Sequence, residues 1–147
     1  MRSKAPLAAI ICAFVQAELL HADPSPADLR TVHAVLAKTK EDKPATSFSA
    51  DVPDVWLLWK GAGLVAGDKI RAVWIAEDVG SAAPKESKIG ENSFTASKPD
   101  ETGAVSLSRP RSQVWPVGKY RTEIYIDKRL VRVLKFTITP GVSIELN

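Results

Sequence analysis

Trp115-Pro116-Val117-Gly118-Lys119-Tyr120-Arg121-Thr122-Glu123-Ile124-Tyr125-Ile126, continuing Asp127-Lys128-Arg129-Leu130-Val131-Arg132-Val133-Leu134-Lys135-Phe136-Thr137-Ile138, is the stretch whose reading decides the fold. In its first arm Tyr120, Thr122, Ile124 and Ile126 alternate with Arg121, Glu123 and Tyr125, a period of two that sends one set to a core and the other to solvent. The second arm repeats the alternation at Leu134, Phe136 and Ile138. The polar break Asp127-Lys128-Arg129 is short, so the arms pair antiparallel as a β-hairpin that turns there.

Upstream, the same logic finds two more strong strands. Val55-Trp56-Leu57-Leu58-Trp59-Lys60 is aromatic and branched. Trp56 and Trp59 are an odd number of positions apart, which places them on opposite faces, one in the core and one partly exposed. After a turn-rich link through Gly61, Gly63 and Gly67-Asp68, Ile70, Ala72, Trp74 and Ala76 alternate with Lys69, Arg71, Val73 and Ile75. Apolar residues on both faces mark that strand as central.

Shorter segments fill the rest. Ser47-Phe48-Ser49 reads as a short edge element, and Ile89 to Ala96 holds a strand around Phe94. Ala104-Val105-Ser106-Leu107-Ser108 turns Val105 and Leu107 inward. Leu29 to Lys38 reads either as a helix capped by Ser25 or as a strand, and the strand is favoured because everything downstream is β. About seven short strands without a well-supported helix give an all-β, two-sheet antiparallel sandwich, with a barrel as the alternative. The expected core is Ile70, Trp74, Leu107, Tyr120, Ile124, Ile126, Leu134, Phe136 and Ile138.

The ends and the composition set the frame. The chain has 147 residues, 45% of them apolar and 25% charged, enough for one domain with its own core. Arg2 and Lys4 precede an apolar run from Leu7 to Val15, with small residues at Ala17 and Ala22. This is the tripartite form of a secretory signal peptide, too short to span a bilayer, so residues 1–22 read as an export signal, 23–29 as a Pro-rich spacer and 30–147 as the domain. The competing reading makes residues 7–20 an amphipathic helix of the domain. Export implies a periplasmic or secreted protein without a permanent membrane span.

Chemistry is thinly provided for. Cys12 is the single cysteine and falls inside the signal, with Ile11 where lipidation would want a small residue, so the mature chain has neither a disulfide nor a thiolate site. It keeps 18 basic and 16 acidic side chains, a net charge of +2, which gives no case for nucleic-acid binding. His33 is its sole histidine, no nucleophile turn is present, and Glu77-Asp78 and Asp100-Glu101 lack the spacing of a calcium loop. The expectation is a non-catalytic protein without cofactor or metal.

Pro116-Val117-Gly118-Lys119-Tyr120-Arg121-Thr122 resembles the start of the penultimate strand of immunoglobulin-like and fibronectin type III domains, where a tyrosine forms a corner. With Gly67-Asp68-Lys69-Ile70-Arg71-Ala72-Val73-Trp74, the pattern resembles secreted bacterial immunoglobulin-like domains of unassigned function over roughly residues 30–139. The resemblance implies that Trp74 is the buried tryptophan of a central strand and that Thr122 marks a disulfide-free relative. It implies a fold and no activity.

Binding is therefore the remaining class. One reading is a module for protein–protein interaction at or outside the cell envelope, through loops or an added strand; the other is a glycan- or envelope-binding module using an exposed tryptophan and basic residues. The residues that would carry either are Trp56, Trp59, Trp115, Arg121, Lys128 and Arg129. Buried tryptophans would count against sugar binding. Trp115 also reads as a lid on one end of the sandwich, and the basic residues of the last third (Arg109, Arg111, Lys119, Arg132 and Lys135 besides those named) as ordinary cationic strand surface.

Overall fold

The hairpin within Trp115 to Ile138 lies inside a five-stranded sheet, its first arm the middle strand. The computed structural model describes residues 29–109 and 113–141; the signal peptide, most of the spacer, Cys12, Arg111 and residues 142–147 lie outside them. β7 (Gly118–Ile126) pairs with β8 (Arg129–Thr139) across the two-residue turn Asp127-Lys128, with Ile126 opposite Arg129. Asp127 takes a left-handed φ of 53°, which an Asp side chain tolerates, and its N–H donates to the Lys69 carbonyl at 2.7 Å. The turn is thereby held to the start of β4 (Lys69–Asp78).

β4 lies on the other side of β7 and carries β5 (Ser87–Thr95) at its far edge. β2 (Ser47–Ser49) closes the opposite end of the sheet against the last residues of β8, giving the order β2-β8-β7-β4-β5. β2 runs parallel to β8, the one departure from the antiparallel pattern expected. The second sheet is β1-β3-β6, from β1 (Thr31–Ala37), β3 (Asp54–Ala62) and β6 (Thr102–Ser108), all antiparallel. Leu29 to Lys38 thus resolves as a strand. Val32, Ala34 and Leu36 face the core and His33 and Val35 face out. The described residues form eight strands, the shortest being the three-residue β2.

The core sits between the sheets. Trp74 on β4 is fully buried, and Phe136 is its edge-on neighbour at 6.2 Å. Tyr120 stacks on Phe136 at 5.2 Å, and Phe48 meets Phe136 edge-on at 5.9 Å. Such pairs contribute about 0.5–1.5 kcal/mol each beyond the area they bury. Seven of the nine expected core residues are buried; Leu107 and Leu134 are partly buried and pack against that cluster.

The start of β7 forms a tyrosine corner. The Tyr120 hydroxyl donates to the Pro116 carbonyl at 2.5 Å, four residues upstream. Gly118 has φ 153°, and a Cβ there would lie 2.2 Å from the Asp78 carbonyl oxygen, so only glycine lets the start of β7 approach the end of β4. Thr122 stands opposite Trp74, fully buried, with no hydrogen-bond partner for its Oγ1. Two sheets in this order, a buried central tryptophan and a tyrosine corner make the domain an immunoglobulin-like β-sandwich.

Candidate functional site

A two-layer sandwich has two outer faces, and here they differ in kind. On the five-stranded sheet, Arg121 reaches Glu77 at 3.5 Å and Glu123 at 3.6 Å and also pairs with Glu86. Its guanidinium is pushed up from its ordinary value, mainly by the bond to Glu86. Lys135 joins through Glu77 at 3.7 Å. Beside this network Arg71 pairs with Glu91 at 3.5 Å and lies 4.7 Å from the centre of the Tyr125 ring, while Lys88 also engages Glu91. The Tyr125 hydroxyl donates to Glu123 Oε2 at 3.1 Å. Beneath these long side chains Val73 and Ile75 are buried. Most charges of this network are paired with one another, while Lys69 and Lys119 at the strand ends have no ion pair among the described residues.

The outer face of the three-stranded sheet is built from alternate positions of β1, β3 and β6. The register sets His33 beside Lys60, Val35 beside Leu58 and Ala37 beside Trp56, and continues Leu58 to Ala104 and Trp56 to Ser106. Val35 is 39% exposed and Trp56 partly exposed, with the Lys40 ammonium 4.8 Å from the ring centre of Trp56. A shallow depression of about 460 Å³ is lined by His33, Val35, Leu58, Lys60 and Arg132, the last reaching over from β8. Lys60 and Arg132 are exposed, and among the described residues neither has an ion-pair partner. An apolar strip flanked by unpaired cations is the feature of this surface best suited to binding.

The six residues singled out from the sequence do not converge. Trp59 faces the core, 5% exposed, with its ring 5.3 Å from Phe94. Trp115 is 4% exposed and donates its indole N–H to the Val52 carbonyl at 2.9 Å, the end-lid of the sandwich rather than a stacking platform. Arg121 is spent on the acidic residues of its own sheet. Arg129 donates to the Arg30 carbonyl at 2.8 Å, next to a cluster in which Arg30 pairs with Asp68 and Asp127, so it ties the first strand to the hairpin turn. Lys128 is exposed at that turn. Trp56 alone lies on the candidate face. Sequence reading missed Val35, Leu58 and Lys60 as surface residues. The signal was available, because a β3 that is apolar on both faces must expose one of them in a three-stranded outer layer.

Among the described residues no three His, Cys, Asp or Glu side chains gather as metal ligands, and no helix is long and apolar enough to cross a membrane. The single cysteine precludes an internal disulfide.

No protein-family model matches the sequence, and neither does any curated protein. Solved structures with a similar shape are distant in sequence. An alkylpurine DNA glycosylase from Pseudomonas fluorescens bound to DNA aligns at 9% identity and a TM-score of 0.51, over 74% of this chain and 30% of that one. An immunoglobulin-like protein from Pseudomonas aeruginosa aligns at 14% identity and 0.45, over 75% of this chain and 91% of that one. A β-glucosidase from Listeria innocua in complex with glucose gives 12% and 0.48, over 78% of this chain but 17% of the enzyme. At these identities the likeness concerns the fold alone.

Proposed function

We propose that this chain is an exported, non-catalytic immunoglobulin-like module that binds a protein partner at or outside the cell envelope through the outer face of its three-stranded sheet. The observation that carries the reading is the apolar strip Val35–Leu58–Trp56 with Lys60 and Arg132 unpaired beside it. Cations without internal partners keep their field and steer an acidic surface, while the aliphatic strip supplies the desolvated centre. The N-terminal signal pattern supports export. The burial of Trp59 and Trp115 leaves Trp56 without an aromatic row at this surface, which favours a protein over a sugar.

The test has two arms. The intact mass and N-terminus of the protein recovered from cell fractions should place its start near Asp23, outside the cytoplasm. Immobilised wild type and the double variant Lys60→Glu/Arg132→Glu are then compared on envelope and secreted protein extracts, with Lys128→Glu as control. A partner held by wild type and the control but lost from the double variant is expected. Identical retention by all three would sink the surface assignment, and an uncut cytoplasmic product would sink export.

A further inference from the structure

Sheet edges are the other place where this fold meets its surroundings, and the edges are not equally guarded. β5 carries Lys88 and Glu91, and its pairing with β4 is interrupted by a register shift between Trp74 and Ile75. Charges and bulges of this kind discourage pairing with another chain. β6 has none of these devices. Its sequence Thr-Gly-Ala-Val-Ser-Leu-Ser is uncharged and without proline, its register with β3 is unbroken, and among the described residues β3 is its sole strand partner. One row of its N–H and C=O groups therefore faces outward. The other open edge of this sheet, β1, lies against β8.

The side chains beside the β6 edge are also incompletely covered. Val105, Leu107 and Phe94 pack on the core yet remain partly exposed, and Ile89 is 38% exposed. They line the side of the sandwich where β5 and β6 stand apart, bridged by Leu107 set against Gly90.

We infer that β6 pairs with β6 of a second copy of this chain, antiparallel and centred on Val105, joining the two small sheets into one of six strands. The strand is complementary to itself in that register. A twofold axis through Val105 sets Thr102 opposite Ser108, Gly103 opposite Leu107 and Ala104 opposite Ser106. On the inner side, Leu107 of each copy meets the smallest residue of the other, where the Trp59 indole lies over Gly103. On the outer side only small residues oppose one another. Just beyond the strand ends, Glu101 of one copy stands opposite Arg109 of the other, twice over, and Arg109 has no carboxylate within ion-pair distance among the described residues of its own chain. A shift of two residues in either direction would set Leu107 against Val105 or Glu101 instead of Gly103, so steric fit selects this register. The inference is independent of the outer-face reading, although it would set two such faces side by side.

Sedimentation equilibrium of the protein as purified, across micromolar to millimolar concentration, tests it with two variants. Ala104→Lys/Ser106→Lys puts lysine opposite lysine at both outer positions of the dimer, and the dissociation constant is expected to rise about tenfold or more. Ala104→Lys/Ser106→Glu puts lysine opposite glutamate in the same register and is expected to dimerise at least as tightly as wild type. Far-UV circular dichroism checks folding, and if the lysine pair fails to fold the charge-swapped variant decides alone. A wild type that stays monomeric, a lysine pair that stays dimeric, or a charge-swapped variant that stays monomeric would each overturn the inference.

Discussion

The outer face of the five-stranded sheet holds more charge than that of the three-stranded sheet, yet most of that charge is paired within the face. Around Arg121 most cations have a carboxylate in reach: Glu77, Glu86 and Glu123 for Arg121, Glu77 for Lys135, Glu91 for Arg71 and Lys88, with Lys69 and Lys119 at the strand ends left without an ion pair among the described residues. Individual surface pairs contribute about 0–1 kcal/mol, but together they cancel the field a partner would feel. On the smaller face Lys60 and Arg132 lack such neighbours and flank apolar surface. Counting basic residues along the chain therefore does not say which of them remain unpaired. Whether a charge is available depends on which carboxylates the strand register sets beside it.

The sharpest way to break this comparison is within β3, whose two faces belong to the two environments. Trp59→Ala is expected to cost about 3–5 kcal/mol, as loss of a buried aromatic does, whereas Trp56→Ala costs under about 1 kcal/mol. Urea unfolding of the two variants checks it, and similar losses would mean that Trp56 is core. A smaller difference separates the two faces directly. Arg121→Met should lower stability by about 1–2 kcal/mol because it leaves the mostly buried Glu77 carboxylate with only its longer pair to the exposed Lys135, while Lys60→Met stays within about 0.5 kcal/mol. Equal effects would remove the distinction between a self-neutralised and an unpaired surface.

The inner face of the larger sheet has the reverse fault, a polar group with nothing to bond. Thr122→Val keeps the shape and removes the orphaned hydroxyl, so it is expected to raise stability by about 1 kcal/mol, read as a higher urea midpoint at unchanged slope. A loss instead would show that the hydroxyl is satisfied in solution.

The two tyrosines give the finest contrast, since β7 sends one to each face. Burial pushes the Tyr120 phenol up to about 12. Tyr125, more exposed, is raised by burial and by its bond to Glu123. Ultraviolet titration should show two steps, Tyr125 first. The folded state holds the Tyr120 proton above the unfolded phenol's value of about 10, so its stabilising contribution is full below that pH and is lost progressively as pH rises towards 12. A single step near 10 would mean that the corner does not hold.

Much of the fold was legible because β periodicity is local. Tyr120, Ile124, Ile126, Phe136 and Ile138 declared their faces by alternation alone, and Pro116 to Tyr120 declared the corner. The misreadings fall where the answer lies across the chain. Trp115, which also read as an end-lid, is held as one by Val52 and Tyr120, whereas Arg129 looked like surface charge until the Arg30 carbonyl lay beside it. β2 was found, but its parallel pairing with the end of β8 was not, since nothing in Ser47-Phe48-Ser49 specifies direction.

Fold class, strands and most of the core were thus readable from the sequence alone, because hydrophobic alternation acts over a few residues, and the tyrosine corner was what the resemblance of Pro116 to Thr122 implied. Tertiary structure decided which tryptophan stays at the surface, which cations find carboxylates, and which edge is left unguarded. Those properties depend on register between strands far apart in the chain: Lys60 beside His33, Arg121 beside Lys135, and β6 with a neighbour on one side only.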